Sequence, residues 1–92
     1  MGLIFKWDKK KEKQNVTKHN FSFKEASTVF RDELSLTIDD PIHSDDENRL
    51  IIIGESIEHR LLVVVHTERN DYIRIISARK ATKIERRYYE SK

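Results

Sequence analysis

The sequence predicts an α+β fold: a single small domain with a largely antiparallel sheet, two N-terminal helices and a C-terminal helix, in the order β-α-α-β-β-β-β-α. Three observations carry this expectation. Capping-box spacings, Ser22 with Glu25 and Thr82 with Glu85, mark helix starts on either side of the middle of the chain. Between them the apolar period drops to two at Leu34, Leu36 and Ile38, then fills into the runs RLIIIG and RLLVVVHTE, which read as strands covered on at least one face. Only Gly2, Gly54 and Pro41 punctuate the chain, so no linker divides it and residues 1–92 read as one domain.

The elements follow in order. Leu3 to Phe5 suggests a short first strand. Asp8 can cap a helix running to about His19, and Asn20 can close it because Asn tolerates the left-handed conformation. This helix carries few apolar residues, chiefly Trp7 at its start and Val16, so it is expected on the surface. The second helix starts at Ser22, with Phe21 and Ala26 at the staple positions. Phe23, Ala26, Val29 and Phe30 form its buried stripe, which leaves Lys24 and Glu25 to solvent. A half-buried strand begins at Leu34. It ends in DDPIHSDDE, Asp39 to Glu47, where Pro41 cannot donate to a ladder. Strands over Arg49 to Gly54, Arg60 to Glu68 and Tyr72 to about Arg79 come next, and the Thr82 cap starts a helix through about Glu90.

A chain of 92 residues supports one core, hiding roughly two-thirds of the unfolded surface, and has no room for two lobes around a cleft. Any site must lie on an open face or a sheet edge. The absence of cysteine removes disulfides, thiolate chemistry and cysteine-based zinc sites. No apolar run is long enough for a signal peptide or a membrane span, so a cytoplasmic protein with no membrane role is the default. Without a secretory signal, the glycosylation sequon Asn15-Val16-Thr17 is accidental.

The net charge of +2 hides a strong segregation. Residues 1–31 carry eight basic and three acidic side chains, residues 32–58 one and nine, and residues 59–92 nine and four. Two basic segments around an acidic one suit a phosphate-binding face and a separate face for a basic partner; solvated surfaces alone give the same count.

Arg69, Arg74 and Arg79 recur at intervals of five in HTERNDYIRIISARKATKIE. Asn70 and Asp71 suit a two-residue hairpin turn, which pairs Arg69 with Tyr72 and Thr67 with Arg74 and puts those four on one face. Strand alternation then sends Arg79 to the opposite face with His66, unless a bulge or the strand's end turns it back. Arginine suits planar, bidentate phosphate contact, and Thr67 and Tyr72 add hydroxyls beside it. An ordinary solvated face with ion pairs to Glu68, Asp71 or Glu85 fits the same pattern.

His19, His43, His59 and His66 are the natural proton-transfer candidates. His59 falls in a hairpin loop and His19 reads as a helix C-terminal cap favoured by the dipole. His43 and His66 are better placed, each open to a structural role as well. No EF-hand spacing, His-x-x-x-His pair, Gly-rich phosphate loop or nucleophile elbow is present, so neither a metal nor a cofactor is expected.

Several stretches together resemble the BrnT-type toxins of type II toxin–antitoxin modules, which are related in fold to the RelE-like ribonucleases. They are FKWD, Asn15 with KHNFSFKEA, Val29-Phe30, DDPIHS, Arg49 with Gly54, LLVVVHTER, and IRIISARKATKIER ahead of Tyr89. The chain departs from the family at Asn20, where Gly is usual; both residues tolerate positive φ. The resemblance implies a RelE-like fold and a cytoplasmic endoribonuclease that inhibits translation. It also implies neutralisation by a BrnA-type ribbon-helix-helix antitoxin, two toxins with two antitoxins, and promoter DNA bound only through the antitoxin.

For metal-free cleavage of an RNA substrate through its own 2′-hydroxyl, the expected contacts are Arg69 and Arg74 on phosphate, with Thr67 and Tyr72 orienting them. Arg79 is placed second by the family motif. His66 and His43 are the candidates for acid and base, and Lys80 and Lys83 join Tyr72 as RNA contacts. The rival readings are a non-catalytic module that grips nucleic acid or protein with its basic face, and a degenerate toxin kept as a partner of its antitoxin.

Overall fold

The computed structural model describes residues 2–40 and 48–91. The expected order holds: β1 (Phe5–Lys6), α1 (Lys9–His19), α2 (Phe23–Thr28), a 3₁₀ turn (Val29–Arg31), β2 (Leu36–Asp39), β3 (Arg49–Glu55), β4 (Leu61–Glu68), β5 (Ile73–Lys80) and α3 (Lys83–Glu90). The five strands form one sheet in the order β1-β5-β4-β3-β2. All pairs are antiparallel except β1 with β5.

The caps form as the sequence requires. Asp8 Oδ1 accepts from the Lys10 and Lys11 amides, Asn20 sits at φ 63°, and Thr82 with Glu85 completes both halves of a capping box. At α2 only half forms: Ser22 Oγ accepts from the Glu25 amide, but the Glu25 side chain turns inward. This corrects the expectation that Glu25 faces solvent. It is 8 % exposed and accepts from Ser56 Oγ at 2.6 Å and Arg60 Nε at 2.9 Å. Burial works to raise its carboxyl, but the Arg60 and Ser56 hydrogen bonds outweigh that and hold it below the ordinary carboxylate value. A carboxylate with an Arg fork to meet gains more by staying paired inside than by closing its own cap.

Strand starts differ from expectation by one or two residues. Leu34 is 63 % exposed and precedes β2, because Asp32 Oδ1 accepts its amide and bends the chain there. The first strand begins two residues late, at Phe5–Lys6, where the backbone of β5 is available to it: the Ile73 amide donates to Ile4 O at 2.8 Å.

The sheet has two unlike faces. The helix face packs Leu62, Val64, Ile52, Ile75 and Ala78 against Phe21, Phe23, Ala26 and Val29, with Phe5, Trp7 and Phe30 at the margin. Gly54 is required here, since a Cβ would lie 2.8 Å from Val29 Cγ1. The other face carries a smaller cluster, Ile53, Leu61, Val63 and Ala81, covered at one end by Tyr89 of α3. Tyr89 donates to Asp32 Oδ2 at 2.5 Å, and burial, then Asp32, pushes its pKa up to about 12.

Asn15 locks α1 to the margin of β5. Its amide exchanges two hydrogen bonds with Ala78, Nδ2 donating to the carbonyl at 2.9 Å and Oδ1 accepting from the amide at 3.1 Å, and Nδ2 also donates to Phe21 O. Beyond the short β1 this side chain continues the ladder in place of a strand.

Candidate functional site

The hairpin forms with Asn70 and Asp71 at its tip: the Arg69 amide donates to Tyr72 O at 2.9 Å, and Thr67 pairs with Arg74. One irregularity follows. Val65 pairs with Ser77 and His66 with Ile75, so Ile76 is an extra residue in β5. The bulge restores parity for everything after it. Arg79, paired with Val63, therefore lies on the same face as Arg74, which corrects the regular-strand expectation by the exception already named, a bulge.

The pairings draw a row across that face: Lys6 beside Arg74, Arg74 opposite Thr67, Thr67 opposite Arg49. Four strands at about 4.8 Å spacing make a row roughly 14 Å long. Among the described residues the Arg74 guanidinium has no hydrogen-bond or salt-bridge partner; Asp8, the carboxylate whose charge it affects, is already held low mainly by two backbone amides. Thr67 is 1 % exposed, and its Oγ1 has no hydrogen-bond partner among the described residues. A buried hydroxyl without a partner costs free energy unless something else arrives to bond it. Lys6 Nζ lies 4.5 Å from the centre of the Tyr72 ring, so the tyrosine holds the lysine at the row's end. Arg69 and Tyr72 border a groove of about 510 Å³ between the hairpin and Leu3 and Ile4.

Arg79 is different. It gives Glu85 two hydrogen bonds of 2.8 Å, and this pairing first, with the Thr82 amide after burial's opposing effect, holds the Glu85 carboxyl at about 2. Because Glu85 also closes the α3 capping box, Arg79 anchors that helix to the sheet.

His66 lies on the helix face with no exposed surface, its ring 4.8 Å from Phe30, and burial lowers its pKa. The row and His66 are on opposite sides of the sheet, as strand alternation implied. His43 falls outside the described residues. Lys80 and Lys83 are exposed at the end of β5 and the start of α3, the far end of the strand from Tyr72. Among the described residues no three His, Asp or Glu side chains gather as a metal site requires, and no helix is long and apolar enough to cross a membrane.

Sequence reasoning did not assign Lys6 and Arg49 to the site. Arg49 was within reach, since counting back along β3 from the turn at Ser56 sets it opposite Thr67. Lys6 was not, because a two-residue parallel pairing leaves no local pattern.

A family model described as the ribonuclease toxin, BrnT, of type II toxin–antitoxin systems matches residues 7–85. The crystal structure of the Brucella abortus ribonuclease toxin BrnT aligns with a TM-score of 0.69 at 20 % sequence identity, covering 89 % of this chain and 100 % of that one. At that identity the likeness shows the fold. No curated protein sequence matches. With most of its length matched by the family's sequence model and its fold shared with a solved member, the chain belongs to the BrnT family of ribonuclease toxins of type II toxin–antitoxin systems.

Proposed function

We propose that residues 1–92 act as a metal-independent endoribonuclease whose phosphate site is the Lys6–Arg74–Thr67–Arg49 row. The observation that carries this reading is a cation, Arg74, with no countercharge among the described residues, beside a buried hydroxyl, Thr67, with no hydrogen-bond partner among them. Arg74 takes the phosphate and stabilises the charge that builds on it, where a donor is worth most because it is already in place. Thr67 Oγ1 bonds a phosphate oxygen or fixes the Arg74 head. Arg69 contacts the neighbouring phosphate from the hairpin, and Tyr72 holds Lys6 and offers its edge to a base. Lys80 and Lys83 contact the backbone farther out. The RNA's own 2′-hydroxyl is the nucleophile, so the protein aligns it in line with the leaving 5′-oxygen. Arg79 and His66 serve the fold in this reading.

The toxin works in the cytoplasm, inhibits translation, and is neutralised by a BrnA-type ribbon-helix-helix antitoxin, two copies with two, whose DNA-binding part carries the complex to its promoter. Labelled RNA incubated with the purified protein in excess chelator tests the reaction. Fragments ending in 2′,3′-cyclic phosphate are expected; a mobility shift with intact RNA would instead make the row a non-catalytic binding face. Expression without the antitoxin is expected to arrest growth, and normal growth would mark a degenerate toxin.

A further inference from the structure

The row needs a group that moves protons, and histidine is the side-chain type best suited to that task. Of the histidines in the described residues, His66 is buried on the wrong face and His59 is 86 % exposed on the β3–β4 turn near Glu55. His19 is placed otherwise. It stands one turn after Asn15 on α1, and the Asn15 hydrogen bonds to Ala78 fix that side of the helix against β5.

A groove of about 300 Å³ opens there, lined by Lys11, Lys18 and His19 of α1, Ser77 beside the bulge, and Arg49. Arg49 is thus shared: it ends the phosphate row and walls the groove. Among the described residues neither ring nitrogen of His19 has a hydrogen-bond partner, and the ring is half-buried, which limits its orientations without closing it to a ligand.

We infer that His19 is a catalytic residue, exchanging a proton with the reacting oxygens of the RNA phosphate that the row holds, reached from the groove past Arg49. This rests on the ribonuclease reading above. In the step, the 2′-oxygen–phosphorus bond forms as the phosphorus–5′-oxygen bond breaks; the 2′-hydroxyl releases one proton and the leaving 5′-oxygen receives one. His19 handles one of these transfers, and Lys11 and Lys18 hold the strand that leaves the row.

The test compares parent, His19→Ala and Arg74→Ala proteins for single-turnover cleavage of a labelled RNA, for affinity toward the same RNA with 2′-O-methyl groups, and for thermal melting. His19→Ala is expected to cleave at least about 100-fold more slowly, the lower range for losing a positioned acid or base. It should bind within about twofold of the parent and regain part of the rate in added imidazole. Cleavage within a few-fold of the parent overturns the inference, as does a loss matched by weaker binding and unmoved by imidazole. If the parent itself leaves RNA intact, the ribonuclease reading fails; if parent cleavage depends on Arg74 and His19→Ala is normal, only the role of His19 fails.

Discussion

Arg74 and Arg79 share a strand and a face and lie five residues apart, yet their surroundings differ. Arg79 meets Glu85 through two hydrogen bonds and ties down a helix, whereas Arg74 has no such partner among the described residues and stands in a row with Lys6, Thr67 and Arg49. Residue type and sheet face do not separate an arginine that the fold pairs from one that has no countercharge among the described residues. The built-in countercharge does: where the fold supplies it, the cation stabilises the fold, and where it is missing, a ligand's charge can complete it.

The comparison depends on the bulge, so the largest effect is expected from deleting Ile76 together with Ser77. Deleting Ile76 alone closes the bulge and leaves Arg74 and Arg79 on one face, but losing both residues turns either Arg74 or Arg79 into the apolar helix face, and the cooperative thermal transition should disappear. A double-deletion variant that melts like the parent would show that strand parity does not set the two faces.

Next come the arginines themselves. Arg74→Ala should lower RNA cleavage by about 100-fold or more while leaving the melting temperature within about 2 °C. Arg79→Ala should do the reverse, losing about 1 kcal/mol, or roughly 4–8 °C for a domain of this size, with cleavage by the folded protein within a few-fold of the parent.

Glu85 sharpens the structural half through pH. Its folded pKa of about 2 lies below the ordinary 4.5, so its stabilisation is complete above about pH 4.5 and is lost as pH falls toward 2. Glu85→Gln should start less stable at neutral pH and lose less across that window, as melting curves between pH 2 and 5 would record. The smallest effect is expected at His66. Burial keeps the imidazole neutral, so the unfolded chain gains protons first as pH drops below 6.5 and stability falls with it. His66→Leu should cleave RNA as the parent does and show a smaller loss of stability below that pH.

Local chemistry made much of this fold legible. Asp8, Asn20, Ser22 and Thr82 each bond to backbone within their own turn, and each took the predicted role. The Asn70–Asp71 turn likewise fixed which residues meet Arg69 and Thr67. What stayed hidden depends on distant partners. Asn15 reaches Ala78 across 63 residues, Glu25 reaches Arg60 across 35, and Lys6 joins the row through a parallel pairing. The Ile76 bulge is intermediate: nothing in IRIIS marks it, yet the puzzle of Arg79 named it as the alternative.

The most direct test of an unmatched Arg74 is the salt dependence of binding to a 2′-O-methyl RNA that cannot be cleaved. Each phosphate contact on a single strand contributes about 0.7 to the slope of log K against log salt. Arg74→Ala should reduce the slope by about 0.7, and Arg79→Ala should leave it unchanged. Equal slopes for the parent and Arg74→Ala, or a loss at Arg79 instead, would contradict the assignment of the phosphate site to the Arg74 row.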